Sequence, residues 1–120
     1  MEIKKFTVNG KEYEFVNSSR NTRNGFAHDT TLFINGVAKC KNTSHYLNRT
    51  WECYRYQTVM LGAIRNLIND RRIRLEKKYK EDNGFSKLTD KRRSALEDIF
   101  TADNVLNEYE EARKILNKCF

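Results

Sequence analysis

Between Tyr46 and Lys80 the chain runs without a proline, and apolar residues recur at Leu47, Trp51, Tyr54, Leu61, Ile64, Ile68 and Leu75, with a second line through Tyr56, Met60 and Leu67. Spacings of three and four residues sustained over such a distance predict one long helix with a broad apolar stripe. At about 1.5 Å per residue that helix would run roughly 50 Å. A globule of 120 residues has a radius of gyration of about 14 Å and spans roughly 35 Å. A helix of that length overhangs its own domain, so its stripe is expected to find cover on another copy of the chain.

The length suits a single domain, 1–120, divided into a β-sheet part (1–45) and a helical part (46–120). The hydrophobic fraction of 38% is lean, and the 12% of aromatic residues partly offsets it, since each ring buries a large area. The net charge of +7 favours an anionic partner such as a nucleotide, a nucleic acid or an acidic surface. The three cysteines, Cys40, Cys53 and Cys119, form no CxxC pair, and the N-terminus carries no apolar leader. A reduced, cytoplasmic protein is therefore expected. No apolar run is long enough to cross a bilayer as a helix.

Ahead of the helical part, two Asn-Gly dipeptides mark tight hairpins, because Asn and Gly tolerate the positive φ angles of a type I′ turn. Ile3 to Val8 and Lys11 to Val16 flank Asn9-Gly10, with Phe6 and Val8 facing Tyr13 and Phe15 across the ladder. Asn17 to Gly25 holds no apolar residue and is expected as a loop carrying Arg20 and Arg23. Phe26 to Ile34 is the third strand, with Phe26, Leu32 and Ile34 on one face and Ala27 and Phe33 on the other. Asn35-Gly36 then turns into a fourth strand, Val37 to Asn42, whose Lys39 and Lys41 suit a solvated face or edge.

Thr43, Ser44 and Asn48 are alternative caps for the long helix, and Asn83-Gly84 supplies a left-handed stop. Thr89 or Asp90 can cap a second helical segment towards the C-terminus, which Thr101 to Asn104 can break in two. Strands followed by helices define an α+β fold. The expectation is an N-terminal antiparallel sheet of about four strands, formed by two hairpins, followed by two long antiparallel helical segments.

For catalysis the inventory is poor. His28 and His45 have no Cys, Ser or carboxylate at a motif spacing, and His28 reads as a sheet residue with a satisfied ring. Neither HxxxH nor a paired-Cys motif offers a metal site, and phosphate loops of the GxGxxG or Walker type are absent. Glu108, Glu110 and Glu111, beside Arg113 and Lys114, read as helix-surface pairs. No catalytic residue, metal or cofactor is expected.

Anion recognition would then fall to arginine, whose planar fork meets two phosphate oxygens at once. One candidate set is Arg20 and Arg23, with Asn24 offering an amide. A second is Arg49, Arg55, Arg92, Arg93 and Arg113 on the helical segments. Phe85 stands directly after Gly84, outside either helical pattern, where it is a core plug or a face on which a base stacks. The basic second half of the long helix also complements the helix dipole.

The small size, the sheet followed by long helices, the run Ser-Ser-Arg-Asn-Thr-Arg-Asn-Gly-Phe at Ser18 to Phe26 and Tyr-Leu-Asn-Arg-Thr-Trp-Glu at Tyr46 to Glu52 resemble the first-described type of phage Thoeris anti-defence sponge. The resemblance implies a non-enzymatic protein of the host bacterial cytoplasm that sequesters glycocyclic ADP-ribose made by TIR-domain sensors. It also implies dimers that assemble into hexamers, and in some members cyclic oligonucleotides bound at a separate site. On this chain it implies Phe85 for adenine stacking, Arg20, Arg23 and Arg113 for the pyrophosphate, and Asn24 for ribose or base hydrogen bonds. The competing readings are a small nucleic-acid-binding protein using the sheet and the basic half of the helix, and an inhibitor that binds a host protein through the exposed stripe.

Overall fold

Both Asn-Gly dipeptides adopt the left-handed backbone their turns demand, with φ of 51° and 78° at Asn9 and Gly10 and 49° and 79° at Asn35 and Gly36. In the computed structural model, which describes residues 1–47 and 56–119, successive hairpins lay the strands side by side in chain order. These are β1 (Glu2–Val8), β2 (Lys11–Thr22), β3 (Gly25–Ile34) and β4 (Val37–Tyr46), each antiparallel to its neighbour. Three helices follow, α1 (Gln57–Asn83), α2 (Asp90–Ala102) and α3 (Asn104–Lys118), giving the expected α+β layout.

Three expected boundaries are corrected. The segment from Asn17 onwards is strand as far as Thr22, and only Arg23 and Asn24 turn before Gly25. Its polar side chains are accommodated by their neighbours: Ser19 bonds His28 and Arg20 reaches Asp29 across the ladder, while Asn17, opposite Thr30, donates its amide to the Met60 sulfur. A run without apolar residues can thus remain strand where such neighbours meet it. The fourth strand continues past Asn42 to Tyr46, whose ring stacks on Phe26 at 5.1 Å. Thr43 and Ser44, expected as helix caps, therefore lie within β4, and Asn48 lies outside the described residues. The long helix begins at Gln57 rather than Tyr46, and Leu47, assigned to its stripe by spacing, is 77% exposed. Trp51 and Tyr54 lie outside the described residues.

At 27 residues, α1 is about 40 Å long, within the molecule's longest dimension of 49 Å. Its first half is covered by its own chain. Val59, Met60, Ala63, Ile64, Leu67 and Ile68 share one core with Tyr13, Phe15 and Leu32 of the sheet and with Leu106, Ala112 and Leu116 of α3. Burying each large apolar side chain there contributes about 1.5–3 kcal/mol. The half after Ile68 contains no buried residue, and Ile73 is 62% exposed. The radius of gyration of 17.1 Å exceeds the roughly 14 Å of a compact chain this size, so the molecule is elongated, and in this half Leu75 is only partly buried against the core. Of the stripe's described residues, Met60, Ile64, Leu67 and Ile68 are covered by their own chain, whereas Leu47 is exposed.

Gly84 stops α1 in the left-handed conformation (φ 66°), and the Phe85 amide donates to the Lys80 carbonyl at 2.9 Å. Thr89 caps α2 through the Arg92 amide. Asp103 then breaks the second segment within the anticipated window. Its carboxylate caps α3 by accepting from the Leu106 amide at 2.8 Å and also receives the Arg71 guanidinium through two bonds of 2.8 and 3.0 Å. That pairing sets the start of α3 beside the middle of α1, and Arg113 and Asn117 towards its end stand by Thr58 and Arg65 at the start of α1, so the two helices run antiparallel. Glu108, expected as a surface residue, is 7% exposed. It accepts from the buried Tyr13 hydroxyl at 2.6 Å and pairs with Lys11 at 3.2 Å.

Candidate ligand-binding groove

Thr58, Leu61, Gly62 and Arg65 recur at helical spacing on one face of α1. Arg113 and Asn117, one turn apart on α3, stand opposite them across an open groove of about 440 Å³. The α1 wall can lie low over the sheet because position 62 is glycine. A Cβ there would collide with the Asn42 side-chain amide, which donates to the Val59 carbonyl at 3.0 Å. The groove is lined by two guanidinium groups, two neutral hydrogen-bonding side chains and one leucine, with no carboxylate among the lining residues. Glu110 orients Arg113 from outside through a 2.9 Å ion pair and also takes Arg72 at 3.3 Å. Arg65 makes no ion pair among the described residues. A volume of this size suits a small organic ligand, and the charge suits an anionic one.

Phe85 and Arg92 are brought together elsewhere. The Arg92 guanidinium lies 3.7 Å over the Phe85 ring, Tyr79 meets that ring edge-on at 5.7 Å, and Arg92 also donates to the Lys87 carbonyl. One face of the half-buried ring is therefore taken by a cation, an arrangement worth about 0.5–1 kcal/mol near the surface. This cluster follows the C-terminus of α1, whereas Arg65 and Arg113 flank its first half. The rise of the helix between them separates the two by roughly 30 Å within one chain.

Arg20 lies in β2 rather than a loop, on the sheet face away from α1, and donates to Asp29 at 2.9 Å. The Thr43 hydroxyl, at 2.6 Å, and then Arg20 hold the Asp29 carboxyl below its ordinary range. Arg23 and Asn24 occupy the exposed β2–β3 turn. Arg49 lies outside the described residues. Within one chain the structure therefore joins Phe85 with Arg92 and Arg113 with Arg65, and brings neither pair to Arg20, Arg23 or Asn24. Arg65 is not among the expected site residues, although its i, i+3, i+4, i+7 relation to Thr58, Leu61 and Gly62 is present in the sequence.

The register also creates a pairing that motif spacing does not contain. Ser19 Oγ lies 2.6 Å from His28 Nδ1 and 3.0 Å from the Tyr56 hydroxyl, on the inner sheet face. His28 is 3% exposed, with the rings of Phe26, Tyr46 and Tyr56 around it at 4.6–5.4 Å. The Cys40 thiol is pushed up to about 11 by burial and donates to the Ala63 carbonyl, so it is held protonated at neutral pH. Compared with protein-family models, curated proteins and solved structures, the chain matches none.

Proposed function

We propose that the protein is a non-enzymatic sponge that binds a cyclic ADP-ribose-type immune signal, glycocyclic ADP-ribose, and withholds it from TIR-dependent Thoeris defence. The observation that carries this reading is the α1–α3 groove, where Arg65 and Arg113 face one space whose lining holds no carboxylate, Glu110 pairing with Arg113 from outside it. A cyclic nucleotide with a pyrophosphate presents two charges that paired guanidinium groups can meet, and Thr58 and Asn117 can serve its hydroxyls. The resemblance at Ser18 to Phe26 and Tyr46 to Glu52 supplies the identity of the signal. Phe85, with a guanidinium already stacked on it, adds an aromatic surface that a second copy could bring to the groove, so the sponge would act as a homo-oligomer. Retention without turnover requires tight binding and slow release rather than an acid–base pair.

The test is to incubate the purified protein with the nucleotide pool of an activated TIR sensor, remove free ligand, denature the protein by heat and identify what is released. Intact cyclic nucleotide is the expected product, with Arg113→Ala abolishing its retention. A cleaved product would contradict the proposal and make Ser19 and His28, 2.6 Å apart, the pair to replace next. No released nucleotide would contradict it as well.

A further inference from the structure

A second cleft, of about 260 Å³, opens where the start of β4 meets the middle of α1 and the start of α3. Lys39, Asp70, Arg71, Arg74 and Tyr109 supply its polar lining, three cations and one carboxylate, with Asp103 behind the lining offsetting the charge of Arg71. Lys39 arrives there through an irregularity of the ladder. Leu32 pairs with Cys40 and Phe33 with Ala38, which leaves Lys39 as an extra residue with no partner on β3. A bulge of this kind breaks the alternation of side chains and re-aims the residue it inserts. Here it sets Lys39 beside Asp70, Arg71 and Arg74 of α1, one turn of helix that presents both guanidinium groups to the same space.

The groups of the cleft are unevenly committed. Arg71 is fixed by its two bonds to Asp103, whereas Lys39 and Arg74 make no ion pair among the described residues. The Tyr109 hydroxyl makes no hydrogen bond among them either. Burial, followed by the Glu108 charge, raises the Tyr109 pKa, while Arg71, Lys11 and Arg74 oppose that rise, so the hydroxyl is a protonated donor within the field of these cations.

We propose that this cleft binds the phosphoryl group of a small phosphorylated molecule, held by Lys39, Arg71, Arg74 and the Tyr109 hydroxyl. The chemistry fits in three respects. Guanidinium and ammonium groups give charge-assisted bonds to phosphoryl oxygens. One cation already locked by Asp103 lowers the ordering needed on binding. A volume below the roughly 300–1,000 Å³ of sites for larger ligands selects a small ligand. Asp70 is placed to accept a hydrogen bond from a ligand hydroxyl, which would distinguish a sugar phosphate from the bare ion. This site shares no lining residue with the α1–α3 groove, so it stands whether or not that groove binds a cyclic nucleotide.

The test is a titration of the full chain with inorganic phosphate and, separately, with ribose 5-phosphate, followed by amide chemical shifts. Saturable shifts centred on Lys39, Arg74 and Tyr109 are expected at millimolar concentration or below. Lys39→Gln and Arg74→Gln should each weaken binding about tenfold, with melting temperatures showing that both variants fold, and Arg113→Ala should leave it unchanged. Tighter binding of ribose 5-phosphate that Asp70→Asn reduces to the level of inorganic phosphate would identify a sugar phosphate as the ligand, whereas equal binding of the two probes would identify the bare ion. Absence of saturable shifts with both probes at about 10 mM would overturn the proposal. Binding that is indifferent to both glutamine variants would overturn it too.

Discussion

Tyr13 and Glu108 are buried against each other, joining the second strand to the last helix through a 2.6 Å bond that Lys11 neutralises from the rim. Removing the acceptor leaves a phenol inside the core with nothing to donate to, which costs about 1–3 kcal/mol. Glu108→Ala should lower unfolding free energy by that amount in a denaturant titration, and Glu108→Gln, which still accepts, by less. Nothing in the acidic run Glu108 to Glu111 announces this role by composition. The signal was positional: Glu108, Ala112 and Leu116 are spaced at four residues and all lie on the buried face of α3. Asp103 allows a second test at this scale. The Arg71 guanidinium, and behind it the Leu106 amide, hold its carboxyl below the ordinary value of 3.8 against the opposing effect of burial. A depressed carboxylate contributes stability that is fully present above its unfolded pKa and is lost as pH falls through the folded one. Acid unfolding of the wild type should therefore show a loss below about pH 4 that Asp103→Asn makes shallower.

At the level of the elements, α1 seats on the sheet through position 62. Alanine is the better helix former by about 1 kcal/mol, yet at Gly62 its Cβ would collide with the Asn42 amide and displace the bond to the Val59 carbonyl. Gly62→Ala should thus forfeit most of the roughly 1 kcal/mol that the propensity scale promises in thermal melts, and combining it with Asn42→Ala, which removes the clash, should make the Gly62→Ala step more favourable than it is alone. Both hairpins, the stop at Gly84 and the break at Asp103 were legible in the sequence, because each rests on local backbone preference. The extension of β2 through Ser18, Ser19 and Arg20 was not, since it depends on partners that only the β2–β3 register supplies. The start of α1 was misread for a related reason. Tyr46 belongs to the three- and four-residue spacing of the helix, but the stack with Phe26 holds it in the strand. Spacing alone does not show which period wins.

Across the whole molecule, the basic run of α1 is less available than the net charge suggests. Arg71, Arg72, Lys77 and Lys80 are paired with Asp103, Glu110, Glu81 and Glu76, and the larger groove is faced by Arg65 of α1, without an ion pair among the described residues, and by Arg113 of α3, which Glu110 holds from outside. A ligand held there by a few charge-assisted contacts should show a shallow dependence of affinity on salt. A protein tracking several phosphates of a nucleic acid would lose about three orders of magnitude or more between 50 and 200 mM salt. The most direct measurement is equilibrium dialysis of purified glycocyclic ADP-ribose against wild type, Arg65→Gln, Arg113→Ala and Phe85→Ala. The account predicts retention of the unchanged nucleotide by the wild type, with at least tenfold weaker binding in each arginine variant. Undiminished affinity in both arginine variants, or no retention by the wild type, would contradict it.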